Sequence, residues 1–367
     1  MKVVHVSSVH GRYDTRIFLK ECRWLAAGGH EVTFIVADGN GDEVRDGVRI
    51  LDVGQSRNRG ERFLGAVNRA ANAGIRLRAD IYHLHDPELL RIASKLRRLV
   101  DNARIIFDAH EDFPRQVLSK DWIPSMLRRP VAAVAELIEN RVARKLTGVV
   151  AATPHIASRF GSVCSRVVNV NNFPMLEELV SVEPIRTRRS YICYVGGITR
   201  IRGIVPLIDA LPLVPNVRLV LCGEFSGDGL EDEVRAAPGW SQVDYRGHVS
   251  RAGVRQVLGE CMAGIVTFLP EPNHIDAQPN KMFEYMSAEL PVIASDFSLW
   301  RRLVDEAGAG ICVNPQSPAA IAGAIQMLLD DPAEIERMGK AGRRAVLEHY
   351  NWPNEAAKLL RFYEDMM

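Results

Sequence analysis

The strongest constraint on the fold is an alternation that runs through the chain twice. Short runs rich in β-branched residues, each long enough for one strand, are separated by longer stretches with apolar residues at helical spacing. This pattern specifies βαβ units and a parallel sheet, because parallel neighbours need a crossover and the crossover is normally a helix. In the first half the predicted strands are Val3–Ser7, Val32–Ala37, Ile81–Leu84, Ile105–Asp108, Val149–Ala151 and Val167–Val170. Helices are predicted over Thr15–Ala27, Pro87–Leu99 and Ser125–Leu146, the last with an apolar stripe of Val131, Val134, Leu137, Ile138 and Val142. In the second half the strands are Tyr191–Val195, Arg218–Cys222, Val243–Tyr245, Ile265–Phe268, Val292–Ala294 and Ile311–Val313, with helices between them.

The two series are parted by Asn171-Asn172-Phe173-Pro174 and by Glu183-Pro184-Ile185-Arg186-Thr187-Arg188-Arg189, which are polar, proline-punctuated and without period, so a linker is expected there. A chain of 367 residues accommodates two cores. The expectation is an α/β protein of two tandem doubly wound, Rossmann-like domains, residues 1–180 and 181–347, whose strands direct their carboxyl ends toward an interdomain cleft.

Composition narrows the function classes. The six cysteines stand singly, with no C-x-x-C pair of the kind a thiolate zinc site or redox centre uses. The start, Met1-Lys2-Val3-Val4-His5-Val6, reads directly into a strand rather than as a leader, and no apolar run approaches a membrane span, so a cytoplasmic protein is expected. Residues 1–180 carry 27 basic against 21 acidic side chains, a balance of +6, whereas residues 181–367 carry 19 against 24, a balance of −5. The basic half suits an anionic partner such as lipid head groups or a diphosphate-linked acceptor, or is simply a solvated surface; a nucleic-acid partner is not expected.

The most informative segment is Gln278-Pro279-Asn280-Lys281-Met282-Phe283-Glu284, which continues to Asp296. Pro279 suits a helix's first turn, and Leu290-Pro291 ends that helix before a buried strand. A helix N-terminus attracts phosphate, and Lys281 in the first turn adds a full charge. Glu284, three residues on, shares its face and offers a carboxylate to two ribose hydroxyls; alone, the two would equally make a surface ion pair. A second loop, Val195-Gly196-Gly197-Ile198-Thr199-Arg200-Ile201-Arg202-Gly203, follows a strand, and its glycines admit a phosphate to the backbone while Arg200 or Arg202 supplies charge. It is not G-x-G-x-x-G, which disfavours a nicotinamide dinucleotide.

Taken together, these segments resemble retaining GT-B glycosyltransferases, specifically glycosyltransferase family 4 of the group 1 type. The likeness extends to His10-Gly11-Arg12-Tyr13-Asp14-Thr15-Arg16, to Phe107-Asp108-Ala109-His110-Glu111-Asp112, and to Tyr350-Asn351-Trp352 with a final helix over 348–367. The resemblance implies that this helix returns to the first domain and that Arg202 and Lys281 clamp the donor diphosphate. Glu284 would bind ribose, Asp276 would sit by the transferred sugar, and Gly11 and Gly197 would let backbone approach the donor. His248 would meet the nucleobase, with Phe283 and Arg200 also in the donor set, and His110 would lie at the sugar's reacting face. Asp276 stands where glutamate is usual, and Glu289 where glycine is common. No D-x-D triplet is present, so a metal-independent transfer from an NDP-sugar is expected, with no cofactor beyond that donor.

For Asp14 and Arg16 two readings stand level: acceptor recognition, or capping and pairing at a helix start. His110 reads as catalytic or as a hydrogen-bonded structural histidine. The acceptor would be a sugar or a lipid-linked sugar of a cell-surface polysaccharide or glycolipid. Arg57, Arg59, Arg62, Arg69, Arg76, Arg78, Arg97, Arg98, Arg128 and Arg129, with Trp122, Ile123 and Met126, suggest a patch resting peripherally on an anionic membrane. A sugar-nucleotide epimerase, a two-domain solute-binding protein and a non-catalytic nucleotide-binding subunit are the alternatives.

Overall fold

A computed structural model describes residues 1–120, 123–176 and 190–366. The expected linker over 183–189 and the aromatic Trp122 lie outside the described residues. The chain divides into two compact units, Met1–Asn172 with Pro353–Met367, and Phe173–Trp352.

In the first unit eight strands form one sheet: β1 (Lys2–Val6), β2 (Glu31–Val36), β3 (Glu43–Arg45), β4 (Val48–Asp52), β5 (Ile81–Leu84), β6 (Arg104–Ala109), β7 (Gly148–Ala151) and β8 (Val167–Asn169). Their order is β3-β4-β2-β1-β5-β6-β7-β8, and all pairs are parallel except β3 with β4. The short edge hairpin β3–β4 was not predicted. Charged and apolar residues are interspersed in it, and the two buried ones, Val48 and Ile50, are parted by Arg49, so it carries no apolar run to announce a strand.

The alternation of side chains across the sheet separates its two faces. Val4, Val6, Tyr82, Leu84, Ile105 and Phe107 join one apolar cluster. The opposite parity places His5, His83 and Asp108 on the other face, where each is 0% exposed. The helix Trp352–Glu364 closes that side, with the Tyr363 hydroxyl 2.8 Å from His83 Nδ1 and Glu355 accepting from the Asn171 backbone at 2.8 Å.

The helix Ser125–Ala143 forms where expected, but its apolar stripe does not face the core. Leu127, Val131, Val134, Leu137 and Ile138 are 42–64% exposed and Met126 82%, while Ala132, Glu139 and Ala143 are buried. Ile123 is also buried, against Val117 and Ala132, and so cannot belong to an exposed patch.

The second unit is a six-stranded, wholly parallel sheet of order β11-β10-β9-β12-β13-β14. Its strands are β9 (Tyr191–Val195), β10 (Arg218–Cys222), β11 (Val243–Gly247), β12 (Ala263–Val266), β13 (Val292–Ser295) and β14 (Gly310–Val313). Ile192, Tyr194, Leu219 and Leu221 enter the cluster on one face, and Cys193, Val220 and Cys222 the cluster on the other. Both faces are thus covered by helices, as a parallel sheet requires.

Candidate functional site

In each sheet the strand order reverses once, and ligands of such sheets bind outside the carboxyl ends of the strands at that point. In the second unit the reversal lies between β9 and β12. The chain leaves β9 through Gly196 and Gly197, and Gly196 has φ +121°. The loop is held to the next strand's exit by Gly196 N donating to Cys222 O at 2.9 Å and Ile198 N to Glu224 O at 2.9 Å. Gly203, at φ +77°, lies so close to the Thr267 carbonyl that an added methyl would sit 1.8 Å from its oxygen, so no other residue fits there.

The helix Asn280–Ser287 begins beside this loop, with Pro279 at its cap rather than in its first turn. Lys281 is 8% exposed, and its Nζ lies 3.7 Å from the centre of the Tyr194 ring and has no hydrogen-bond partner among the described residues. A methyl built on Gly196 would come within 3.2 Å of that Nζ, which shows how directly the lysine points at the glycine loop. Burial pushes the Lys281 pKa well below its usual range, the neighbouring Arg202 pushes it the same way, and Glu284 acts in the opposite sense.

Arg202 donates to Gly197 O at 3.1 Å and stands 5.6 Å over the Phe268 ring, so it joins Lys281 at the loop. Arg200 does not. The short turn Arg200–Arg202 turns its guanidinium to the surface, where it makes a two-pronged pair with Glu233. Glu284 accepts from Arg251 NH1 at 2.8 Å; this arginine, at the start of the helix Arg251–Glu260, carries no signal in the sequence that marks it for the site.

Phe283 is corrected outright: it is 0% exposed and packs edge-on against Phe173 at 4.6 Å and against Tyr350 at 5.2 Å between ring centres, so it is core and not a donor contact. The helix's period explains this, since residues 281 and 284 share one face and 283 points to another. His248 is exposed just after Gly247, which has φ +61°, and Asp276 sits half-buried in the turn before the helix.

In the first unit the reversal lies between β1 and β5. Gly11 is exposed, with open space around it, in the loop after β1, beside a cavity of about 650 Å³ lined by Arg12, Tyr13, Asp14, Asp38 and Asn40. Asp14 caps the following helix, accepting from Arg16 N at 2.8 Å and Ile17 N at 2.9 Å. That helix, Thr15–Cys22, opens with wide turns, Leu19 N donating to Asp14 O.

Arg16 is no acceptor contact. It is 5% exposed and grips Asp108 at 2.9 and 2.7 Å, with a third bond to Val170 O at 3.1 Å. For Asp14 and Arg16 the capping and pairing reading therefore holds, with a partner 92 residues away instead of on the same helix.

His110 follows β6, its Nδ1 3.4 Å from Asp108 Oδ2. Burial opposes its charge, but the neighbouring Asp108 carboxylate prevails, so its pKa is raised. Its ring stands edge-on to that of His10 at 5.1 Å. His10 Nδ1 lies 3.0 Å from Asp86 Oδ1; burial works against the imidazolium, but Asp86 outweighs it and raises the His10 pKa to about 9. Asp86 is fixed in turn by Ser8 N at 2.6 Å and Ser7 Oγ at 3.0 Å. The pair His10 and Asp86 was not singled out in the sequence, although His83-Leu84-His85-Asp86 at a strand's carboxyl end was a legible signal.

The profile of the family described as glycosyl transferases group 1 matches residues 177–345, and that of the glycosyl transferase 4-like domain matches residues 15–167. The glycogen synthase of Mycobacterium tuberculosis (strain CDC 1551 / Oshkosh) is 23% identical over 370 residues, covering 92% of this chain and 87% of its own. The phosphatidyl-myo-inositol mannosyltransferase of Mycobacterium leprae is 29% identical over 169 residues, 44% of this chain and 43% of its own. Among solved structures, sucrose-phosphate synthase from Thermosynechococcus elongatus superposes with TM-score 0.80 at 18% identity, over 100% of this chain and 98% of that one. Anabaena Alr3699/HepE in complex with UDP-glucose superposes with TM-score 0.76 at 13% identity, over all of both chains.

Proposed function

We propose, from the premise that the chain is a group 1 glycosyltransferase of the GT-B type and uses an NDP-sugar, that transfer retains the anomeric configuration and needs no divalent cation at the donor diphosphate. The observation that carries this reading is Lys281. A buried ammonium without a hydrogen-bonding partner costs several kcal/mol, of which its stacking over Tyr194 returns about 2 kcal/mol. An anion is what completes it. As the bond to the anomeric carbon breaks, negative charge grows on the departing diphosphate, and Lys281, Arg202 and the N-terminus of the helix Asn280–Ser287 are already in place to stabilise it. With two fixed cations there, a metal bridge is superfluous. Glu284 binds the ribose hydroxyls and His248 lies by the base, while Gly11 and Gly197 admit the donor's phosphates to the backbone. His110, held by Asp108, positions the sugar, whose acceptor hydroxyl attacks from the face the leaving group departs and gives its proton to the diphosphate.

The acceptor in this reading belongs to a bacterial cell-surface polysaccharide or glycolipid, and the protein works on the cytoplasmic side of a membrane. The exposed face of Met126, Leu127, Val131, Val134, Leu137 and Ile138 supports peripheral contact, because exposed Arg129, Arg141, Arg144 and Lys145 on and just beyond the same helix match an anionic lipid surface. No helix among the described residues is long and apolar enough to cross a membrane.

The decisive experiment is a thermal-shift screen of UDP, GDP, ADP, dTDP and their sugars. A specific binder at about 100 times its Kd adds about 2.7 kcal/mol to the stability of the folded state. Protection by one nucleotide series that is lost in Lys281→Ala is expected, together with turnover that persists when EDTA is added to the assay. A chain that no nucleoside diphosphate protects refutes the donor site, and turnover that requires added Mg²⁺ or Mn²⁺ refutes the metal-free mechanism.

A further inference from the structure

On the polar face of the first unit's sheet, strand register brings three histidines together. His5 on β1 is the cross-strand partner of His83 on β5, and His85 follows two residues later on the same side. Glu21, from the helix Thr15–Cys22, closes over them. All four side chains are 0% exposed, and one donor atom from each falls within 4.8 Å of the others. Hydrogen bonding leaves this cluster incomplete. His5 Nδ1 meets His85 Nε2 at 2.8 Å, yet His5 Nε2, His83 Nε2 and both oxygens of Glu21 have no hydrogen-bond partner among the described residues. Among the described residues the ionic neighbours of Glu21 are Arg16 Nε at 3.2 Å, His83 Nδ1 at 3.6 Å and His5 Nδ1 at 3.9 Å. Each unmet buried group costs about 1–3 kcal/mol, so four in one place call for an occupant.

We propose that His5, Glu21, His83 and His85 form a buried site for one divalent transition-metal cation, with Zn²⁺ the best match to three imidazoles and a carboxylate. The ring spacings agree. Bonds of about 2.0–2.1 Å in a tetrahedron put ligand atoms about 3.3 Å apart and imidazole centres about 5 Å apart. The three ring centres here are separated by 4.7, 4.9 and 5.1 Å. The supporting residues are those a metal-bound histidine uses: Asp108 Oδ2 lies 3.0 Å from His85 Nδ1, and the Tyr363 hydroxyl 2.8 Å from His83 Nδ1. The neighbouring Arg16 cation is already matched by its two-pronged bond to Asp108. Four protein ligands fill a tetrahedron and leave no open position, so the cation is structural. It ties β1, β5 and the helix Thr15–Cys22 together behind the Asp108 that holds His110.

The test needs no substrate. The full chain, produced without a polyhistidine tag in zinc-supplemented medium, is analysed for metal. About one Zn²⁺ per chain is expected, with three-histidine scattering in X-ray absorption. Refolding with Co²⁺ should give the intense visible bands of a tetrahedral site. The conservative pair Glu21→Gln and His5→Gln, each checked for folding by circular dichroism, should lower the content at least five-fold. Metal-free protein that also gives no Co²⁺ bands overturns the site, as does full metal content in the folded variants. Should the variants not fold, a wild-type absorption spectrum without histidine ligation has the same force. None of these readouts depends on whether a nucleotide sugar binds the second unit.

Discussion

Each unit buries a cation at the reversal point of its sheet, and the two are treated in opposite ways. Arg16 in the first unit has its positive charge met by Asp108 and Glu21 and one further N–H by the Val170 carbonyl. Lys281 in the second unit is as deeply placed, yet has an aromatic ring below it and no hydrogen-bond acceptor among the described residues. The first is a completed internal bond and the second an open valence. Depth alone therefore does not separate a structural cation from a functional one; the count of acceptors does.

That contrast can be broken most forcefully at Arg16. Arg16→Met leaves Asp108 buried without its cation and should destabilise the first unit by about 3–5 kcal/mol, read as a lower denaturation midpoint for that unit. Lys281→Ala should do the reverse: turnover falls by about 100- to 1000-fold, the scale for losing a charge-stabilising group, while the second unit's melting temperature stays level or rises. If Lys281→Ala instead melts the protein as Arg16→Met does, the distinction is void.

A pH series sharpens the same point. The Lys281 pKa is lowered in the free protein and a bound diphosphate should raise it again, so nucleotide affinity should decline as pH rises through that depressed value. Calorimetry in buffers of different ionisation heat would register the proton uptake, and an affinity flat with pH in wild type would contradict it. The smallest effect is expected at Glu289, which takes φ +56° after the helix Asn280–Ser287 and so occupies a left-handed position where glycine is common in the family. Glu289→Gly should raise stability by about 1 kcal/mol, with turnover unchanged. A loss of stability would mean that the glutamate side chain outweighs its backbone strain.

Much of the architecture was legible because strand and helix periods are local. Tyr191–Val195, Arg218–Cys222 and Ile81–Leu84 were bounded to the residue, since each is a short, predominantly apolar segment of strand length. The hairpin β3–β4 was not, having a pattern that differs little from a loop. In the site, Lys281 and Arg202 could be placed because a helix start and a glycine turn announce themselves in sequence. The misplacements were of another kind. Phe283 and Arg200 are next to or near true site positions in the chain but face elsewhere, and Arg16 found a partner 92 residues away that no window spans. The buried trio of histidines depended on the pairing of β1 with β5, which a sequence does not write down.

Residues Pro353–Met367 belong to the first unit although all of the second is threaded between them and Asn172. Tyr363, which meets His83, is therefore made only after the entire second unit has been synthesised. Domains commonly fold as they emerge, amino-terminal ones first. Here the order is reversed for the final step: the earlier domain must wait, one helix short, until the later one has been synthesised. A C-terminal deletion would thus damage the half of the molecule farthest from it along the chain.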